Sequence, residues 1–162
     1  RICPHPPQPV REAACRAQSA DGAIVEPLAV ALHGVSLSGL RPGDTVLVLV
    51  LGAGPIGLAV AFWARRAGAS RVVVQDIADY QRERALEMGA HDFVVDRDDP
   101  VGAAARALGG PGDIVFECVG VPGLIAQTVN QVRPRGTILL LGLCNQPDVS
   151  TALPCSQRKC GS

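Results

Sequence analysis

The chain has 162 residues and a mass of 16.8 kDa, enough for one ordinary core and too little for two full-sized domains. Hydrophobic residues make up 48% and charged residues 19%, which excludes disordered, collagen-like and membrane-spanning compositions. Fifteen basic residues balance fifteen acidic ones, so no net field favours nucleic acid or an anionic membrane surface, and any anionic ligand must be held locally.

Six cysteines (Cys3, Cys15, Cys118, Cys144, Cys155 and Cys160) form no CxxC pair and no regular disulfide framework. Two lie in apolar strand-like runs, as small buried hydrophobes do. This usage favours a reducing compartment. With no signal-like segment and no apolar run near the roughly 20 residues a bilayer span needs, the expectation is a cytoplasmic protein without a membrane partner.

Residues 1–22, opening on "RICPHPPQP", read as an irregular arm, because proline removes donors and fixes φ. His5 and Cys3 are read there as surface residues rather than metal ligands. From Ile24 to Leu40 the text predicts a helix with Pro27 at its first position and Leu28, Leu32 and Val35 on one face. "RPGDT" turns the chain. Strands are then predicted at Thr45–Leu51, Arg71–Gln75, Asp92–Val95, Asp113–Cys118 and Thr137–Leu143. Helices are predicted at Pro55–Ala67, Asp79–Met88, Val101–Leu108 and Pro122–Val132. The strands are nearly continuous apolar runs, as strands covered on both faces are. Alternation with helices over short connections implies an α/β fold, a doubly wound parallel sheet with the first strand central. The division expected is the arm at 1–22, a dinucleotide-binding domain at 23–150 and a tail at 151–162.

The run "VLVLVLGAGPIGLAV" breaks abruptly at Gly52 and resumes as a helix. Gly52, Gly54 and Gly57 form GxGxxG between a strand and a helix, the context the dinucleotide fingerprint requires. Gly52 permits the tight turn, Gly54 leaves room for a pyrophosphate, and Gly57 allows close helix packing. The helix N-terminus presents free N–H groups and a positive dipole to the phosphates. The next strand, "RVVVQD", ends in Asp76, 19 positions after Gly57 and suited to the adenosine ribose hydroxyls. Its charge disfavours a 2′-phosphate, so NAD is expected over NADP. Arg71, Arg82 and Arg84 keep NADP open as an alternative.

With these residues in place, the chain resembles the cofactor domain of zinc-dependent medium-chain alcohol and polyol dehydrogenases. The resemblance runs through "VEPLAVALHGV", "LRPGDTVLV", "LGAGPIGL", "RVVVQDI", "ALEMGAHDFV", "DIVFECVGVP" and "RPRGTILLLGL", in that order. It implies that Pro55 and Ile56 belong to the cofactor turn, with Ile56 behind the nicotinamide. It also implies that Cys118, Val119 and Gly120 line the adenine and ribose side, and that Leu141, Gly142 and Leu143 run beneath the carboxamide. Glu26 matches a position near the catalytic zinc in many members, while the residues alone suit a carboxylate placed for the helix dipole.

Members carry a catalytic domain before this segment, and residues 1–22 match none of it. One carboxylate cannot hold a catalytic zinc, which takes three protein ligands. Cys155 and Cys160 lack zinc spacing and read as free thiols. The first strand reads two residues longer than the family form, a change that keeps the same faces buried. Gln81 stands where members often carry a basic residue near the ribose.

The leading expectation is therefore an NAD-binding part of an enzyme oxidising secondary alcohols to ketones, with little turnover by this chain. The alternatives are a non-catalytic nucleotide-binding module that self-associates as a homo-oligomer, and a zinc-free reductase. A methyltransferase is disfavoured by the third glycine. His33 and His91 receive no role, and Trp63 is read as core or interface.

Overall fold

The computed structural model describes residues 19–49 and 54–144. In chain order the elements are α1 (Ser19–Leu37), β1 (Thr45–Leu49), α2 (Pro55–Arg66), β2 (Arg71–Asp76), α3 (Arg82–Glu87), β3 (Asp92–Val95), α4 (Pro100–Leu108), β4 (Gly112–Glu117), α5 (Leu124–Gln131) and β5 (Val132–Leu140). The five strands form one parallel sheet in the order β3-β2-β1-β4-β5, so the first strand is central as expected. Among the described residues, no helix is long and apolar enough to cross a membrane.

The unbroken apolar strands bury both faces, and period-two alternation sorts their side chains. Val46, Val72, Val74, Ile114 and Phe116 join one cluster with Ala31 and Val35 of α1, Ala59, Val60 and Ala64 of α2 and Ala85 of α3. Leu47, Val73 and Val115 point the other way and meet Ala104 and Leu108 of α4. Alanines dominate the helix side, which lets the helices lie close on the valine-rich sheet. Each fully buried valine or leucine contributes about 1.5–3 kcal/mol.

Register is pinned at the start of the central strands. Asp113 Oδ2 accepts the Thr45 backbone N–H and its hydroxyl, both at 2.7 Å, and Arg133 Nε donates to Asp113 Oδ1. This clamp aligns Val46 with Ile114. On β2, Val46 faces Val72.

Several boundaries differ from the reading of the text. α1 begins at Ser19, inside the segment expected to be irregular, and places Pro27 in its interior rather than at its first position. Proline there removes one helical hydrogen bond, and packing on α2 holds the helix together: Trp63 Nε1 donates to the Leu28 carbonyl at 3.0 Å. The helix stops at Leu37, where Ser38 Oγ bonds back to Val35 O and Gly39 takes φ 70°. α3 starts three residues later than expected, because Asp79 opens a turn whose carbonyl accepts the Arg82 N–H at 3.0 Å. α5 begins at Leu124, after Gly123 at φ 88°.

β5 starts earlier, at Val132, and is interrupted. Val132 pairs with Gly112 and pairing resumes only at Thr137 with Ile114, because Pro134 lacks an N–H and Arg135 takes φ 64°. It ends at Leu140 rather than Leu143, since Leu141 N and Gly142 N both turn to the Glu117 carbonyl, at 2.7 and 3.0 Å. The expected two-residue extension of the first strand, Val50 and Leu51, lies outside the described residues. So do the N-terminal arm up to residue 18, Gly52, and the tail at 151–162.

Candidate cofactor site at the carboxyl ends of the strands

The sheet, α2 and the loops after β2, β4 and β5 meet at one end, where β1 stops. Gly54 caps α2 in an extended conformation with φ −61° and ψ 165°, and no side chain caps that end. Among the described residues, a Cβ on Gly54 would meet nothing within 4 Å. Pro55 occupies the first helical position, where its missing N–H costs nothing. The N–H groups of Ile56 and Gly57 lie in the first turn, where a helix offers no internal acceptor. Gly57 is buried and Ile56 packs partly against the core. Of the expected fingerprint, Gly52 and Ala53 fall outside the described residues.

Asp76 ends β2, beside β1, and is 3% exposed. Its Oδ1 accepts the N–H groups of Ile77, at 2.6 Å, and Ala78, at 3.3 Å, so the turn that follows holds the carboxylate in place. The arginines that kept NADP open are each engaged elsewhere. Arg71 lies at the far end of β2, 4.0 Å from Asp92. Arg82 bonds Asp79 and the Phe93 carbonyl and lies over the Phe93 ring. Arg84 donates to Gln81.

The loop after β4 and the segment after β5 lie against each other. Glu117 Oε1 accepts the N–H groups of Val119 and Gly120, at 2.6 and 2.8 Å, while its backbone carbonyl takes Leu141 and Gly142. A Cβ on Gly120 would strike the backbone of Leu143, and one on Gly142 would strike the Gly120 nitrogen. The structure thus brings Cys118, Val119, Gly120, Leu141, Gly142 and Leu143 into one double loop. Burial, helped by the Glu117 charge, pushes the Cys118 thiol up to about 12, which makes it unfit as a nucleophile or metal ligand at neutral pH.

Sequence reasoning missed Glu117, although a carboxylate closing the apolar run "DIVF" was a signal of a buried structural role. It also missed Arg97, whose Nε and Nη2 both donate to the Ile77 carbonyl, and the apolar pair Ile77 and Val121, which stay 50% and 42% exposed. Glu26 is exposed on α1, and the described residues contain no group of three His, Cys, Asp or Glu able to hold a metal. Zinc therefore has no fitting site among them. His33 is exposed on α1, and Trp63 is a half-buried packing residue, edge-on to Phe62 at 5.0 Å between centroids.

A central parallel strand, a glycine-capped helix beside it and a buried carboxylate ending the next strand define a Rossmann-type α/β fold. The chain belongs to the zinc-binding dehydrogenases, whose family model matches residues 55–159. It is 36% identical over 128 residues to bovine sorbitol dehydrogenase, an alignment covering 76% of this chain and 35% of that enzyme. Among solved structures, (2R,3R)-butanediol dehydrogenase from Bacillus subtilis superposes with a TM-score of 0.71 at 32% identity, over 80% of this chain and 37% of that one. A zinc-binding dehydrogenase from Sinorhizobium meliloti, bound to NADP, gives a TM-score of 0.65 at 35% identity, over 74% of this chain and 36% of that one. The chain thus spans little more than a third of the length of these relatives.

Proposed function

We propose that this chain is the NAD(H)-binding part of an alcohol or polyol dehydrogenase, with NAD preferred over NADP. The observation that supports it most is the pairing of an open, side-chain-free helix start at Gly54 with the buried, turn-anchored carboxylate of Asp76. In this reading the Ile56 and Gly57 N–H groups take the pyrophosphate oxygens. Asp76 accepts the ribose hydroxyls, and its charge repels a 2′-phosphate. Ile77 and Val121 offer apolar surface to the adenine, and Ile56 offers it to the nicotinamide.

The bound cofactor supplies the hydride acceptor. The described residues orient it and gather no metal site, so oxidation of a secondary alcohol draws a metal from elsewhere. Glu26 has a metal role only if other metal ligands are brought to it. The exposed Ile24, Val25 and Leu37 of α1 support a homo-oligomer or a partner domain over that helix.

Titration with NADH and NADPH, followed by nucleotide fluorescence, tests the proposal. Saturable NADH binding, tighter than NADPH and weakened at least tenfold by Asp76→Ala, is the expected result. Equal affinity for both nucleotides, unaffected by Asp76→Ala in a folded chain, overturns it.

A further inference from the structure

At the opposite end of the sheet, where the strands begin, a cleft of about 370 Å3 is lined by Arg41, Asp44, Asp113, Arg133, Arg135 and Thr137, among others. It lies about 13 Å from the cofactor end, the length of β1 at about 3.3 Å per residue. Three guanidinium groups thus line the cleft with two carboxylates, of which Asp113 has both oxygens engaged and Asp44 one. Asp113 is held by Thr45 on one oxygen and by Arg133 on the other, and Asp44 Oδ2 accepts the Arg41 backbone N–H at 2.7 Å.

Arg133 is therefore spent on the strand clamp. The guanidinium groups of Arg41 and Arg135 and the Thr137 hydroxyl have no hydrogen-bond or ion-pair partner among the described residues. Arg135 is also the residue with φ 64°, an uncommon conformation for a side chain that is not glycine, kept where the interrupted β5 turns its arginine into the cleft rim. Three arginines against two aspartates leave one net positive charge, with donors in the planar fork that matches a phosphate group.

We propose that this cleft binds a small phosphate-bearing anion, a phosphomonoester or a pyrophosphate, through Arg41 and Arg135 with Thr137 as a further donor. The Arg133–Asp113 pair serves as its rigid floor. The site is separate from the dinucleotide crevice, so occupancy of one leaves the other open. It gives the chain an anion site apart from the one proposed for the dinucleotide.

Calorimetric titration of the chain with pyrophosphate and with inorganic phosphate, at constant ionic strength, tests this with and without saturating NADH. The expected result is saturable binding that survives NADH and falls about tenfold in Arg41→Gln and in Arg135→Gln, the size of one lost charge-assisted contact. Arg135→Gly, which removes the side chain and relaxes the backbone, should lose the anion equally while melting no lower than the parent chain. Binding abolished by NADH would place the anion in the dinucleotide crevice and overturn the proposal. Absence of binding to a cooperatively melting chain, or equal binding by the variants, would overturn it as well.

Discussion

Gly142 faces the backbone nitrogen of Gly120 so closely that a Cβ would strike it, leaving no room for a methyl group between the segments that follow β5 and β4. Both are tied to Glu117, the first through its carbonyl and the second through its carboxylate. Gly142→Ala should therefore push the double loop apart, cost about 1–3 kcal/mol in stability and weaken NADH binding. Urea unfolding measures the first effect and fluorescence titration the second.

The Glu117 carboxylate is a buried acceptor for two backbone N–H groups, which separates two substitutions. Glu117→Ala leaves both donors without a partner and should cost about 2 kcal/mol or more. Glu117→Gln keeps an oxygen of similar placement and should cost less than half as much. Chemical denaturation of the two variants side by side gives the ordering.

The Thr45–Asp113–Arg133 clamp predicts an acid sensitivity. Burial raises the Asp113 carboxyl, but hydrogen bonds from Thr45 and the Arg133 guanidinium outweigh it, and the group is held below its ordinary 3.8. A carboxylate lowered in the folded state stabilises above its unfolded value, and that contribution fades as pH falls through the folded one. Asp113→Asn should be less stable than the parent at neutral pH, with the gap closing below about pH 4. Thermal melts across that range test it.

His91 adds a second acid sensitivity, in a higher pH range. Its ring Nδ1 accepts the Val72 backbone N–H at 2.9 Å and its backbone N–H donates to the Val72 carbonyl at 2.7 Å, so the residue extends the β2–β3 pairing. Burial, then the charges of Arg65 and Arg71, lower it from 6.5, and protonation of Nδ1 would remove the acceptor. The neutral form is the stabilising one, present above the unfolded value and lost as pH falls below it. His91→Asn should flatten the stability profile between about pH 6.5 and 5, read from denaturation midpoints.

Much of this architecture was legible in the text because the signals were redundant. Strands such as "RVVVQD" are apolar on both faces, and each helix that follows is punctuated by glycine or proline, so element type, order and the central position of β1 could be read together. Boundaries were misjudged where tertiary contacts decided them. Pro27 reads locally as a helix start, yet packing on α2 carries the helix through it. The Pro134–Arg135 break in β5 and the turning of Leu141 and Gly142 to Glu117 O depend on a neighbouring strand. The same holds at the site. Glycine spacing and a strand-end aspartate are local patterns, whereas Glu117, Arg97 and the arginine cleft exist only once distant segments meet.

Backbone amide shifts on adding NAD+ to the isotopically labelled chain test the central claim most directly. Binding at the carboxyl ends of the strands should move the amides of Ile56, Gly57, Ile77 and Gly120 together, in one saturable process, and leave those of Arg41 and Arg135 in place. Shifts confined to the opposite end of the sheet, or none at all in a chain with dispersed spectra, would contradict it.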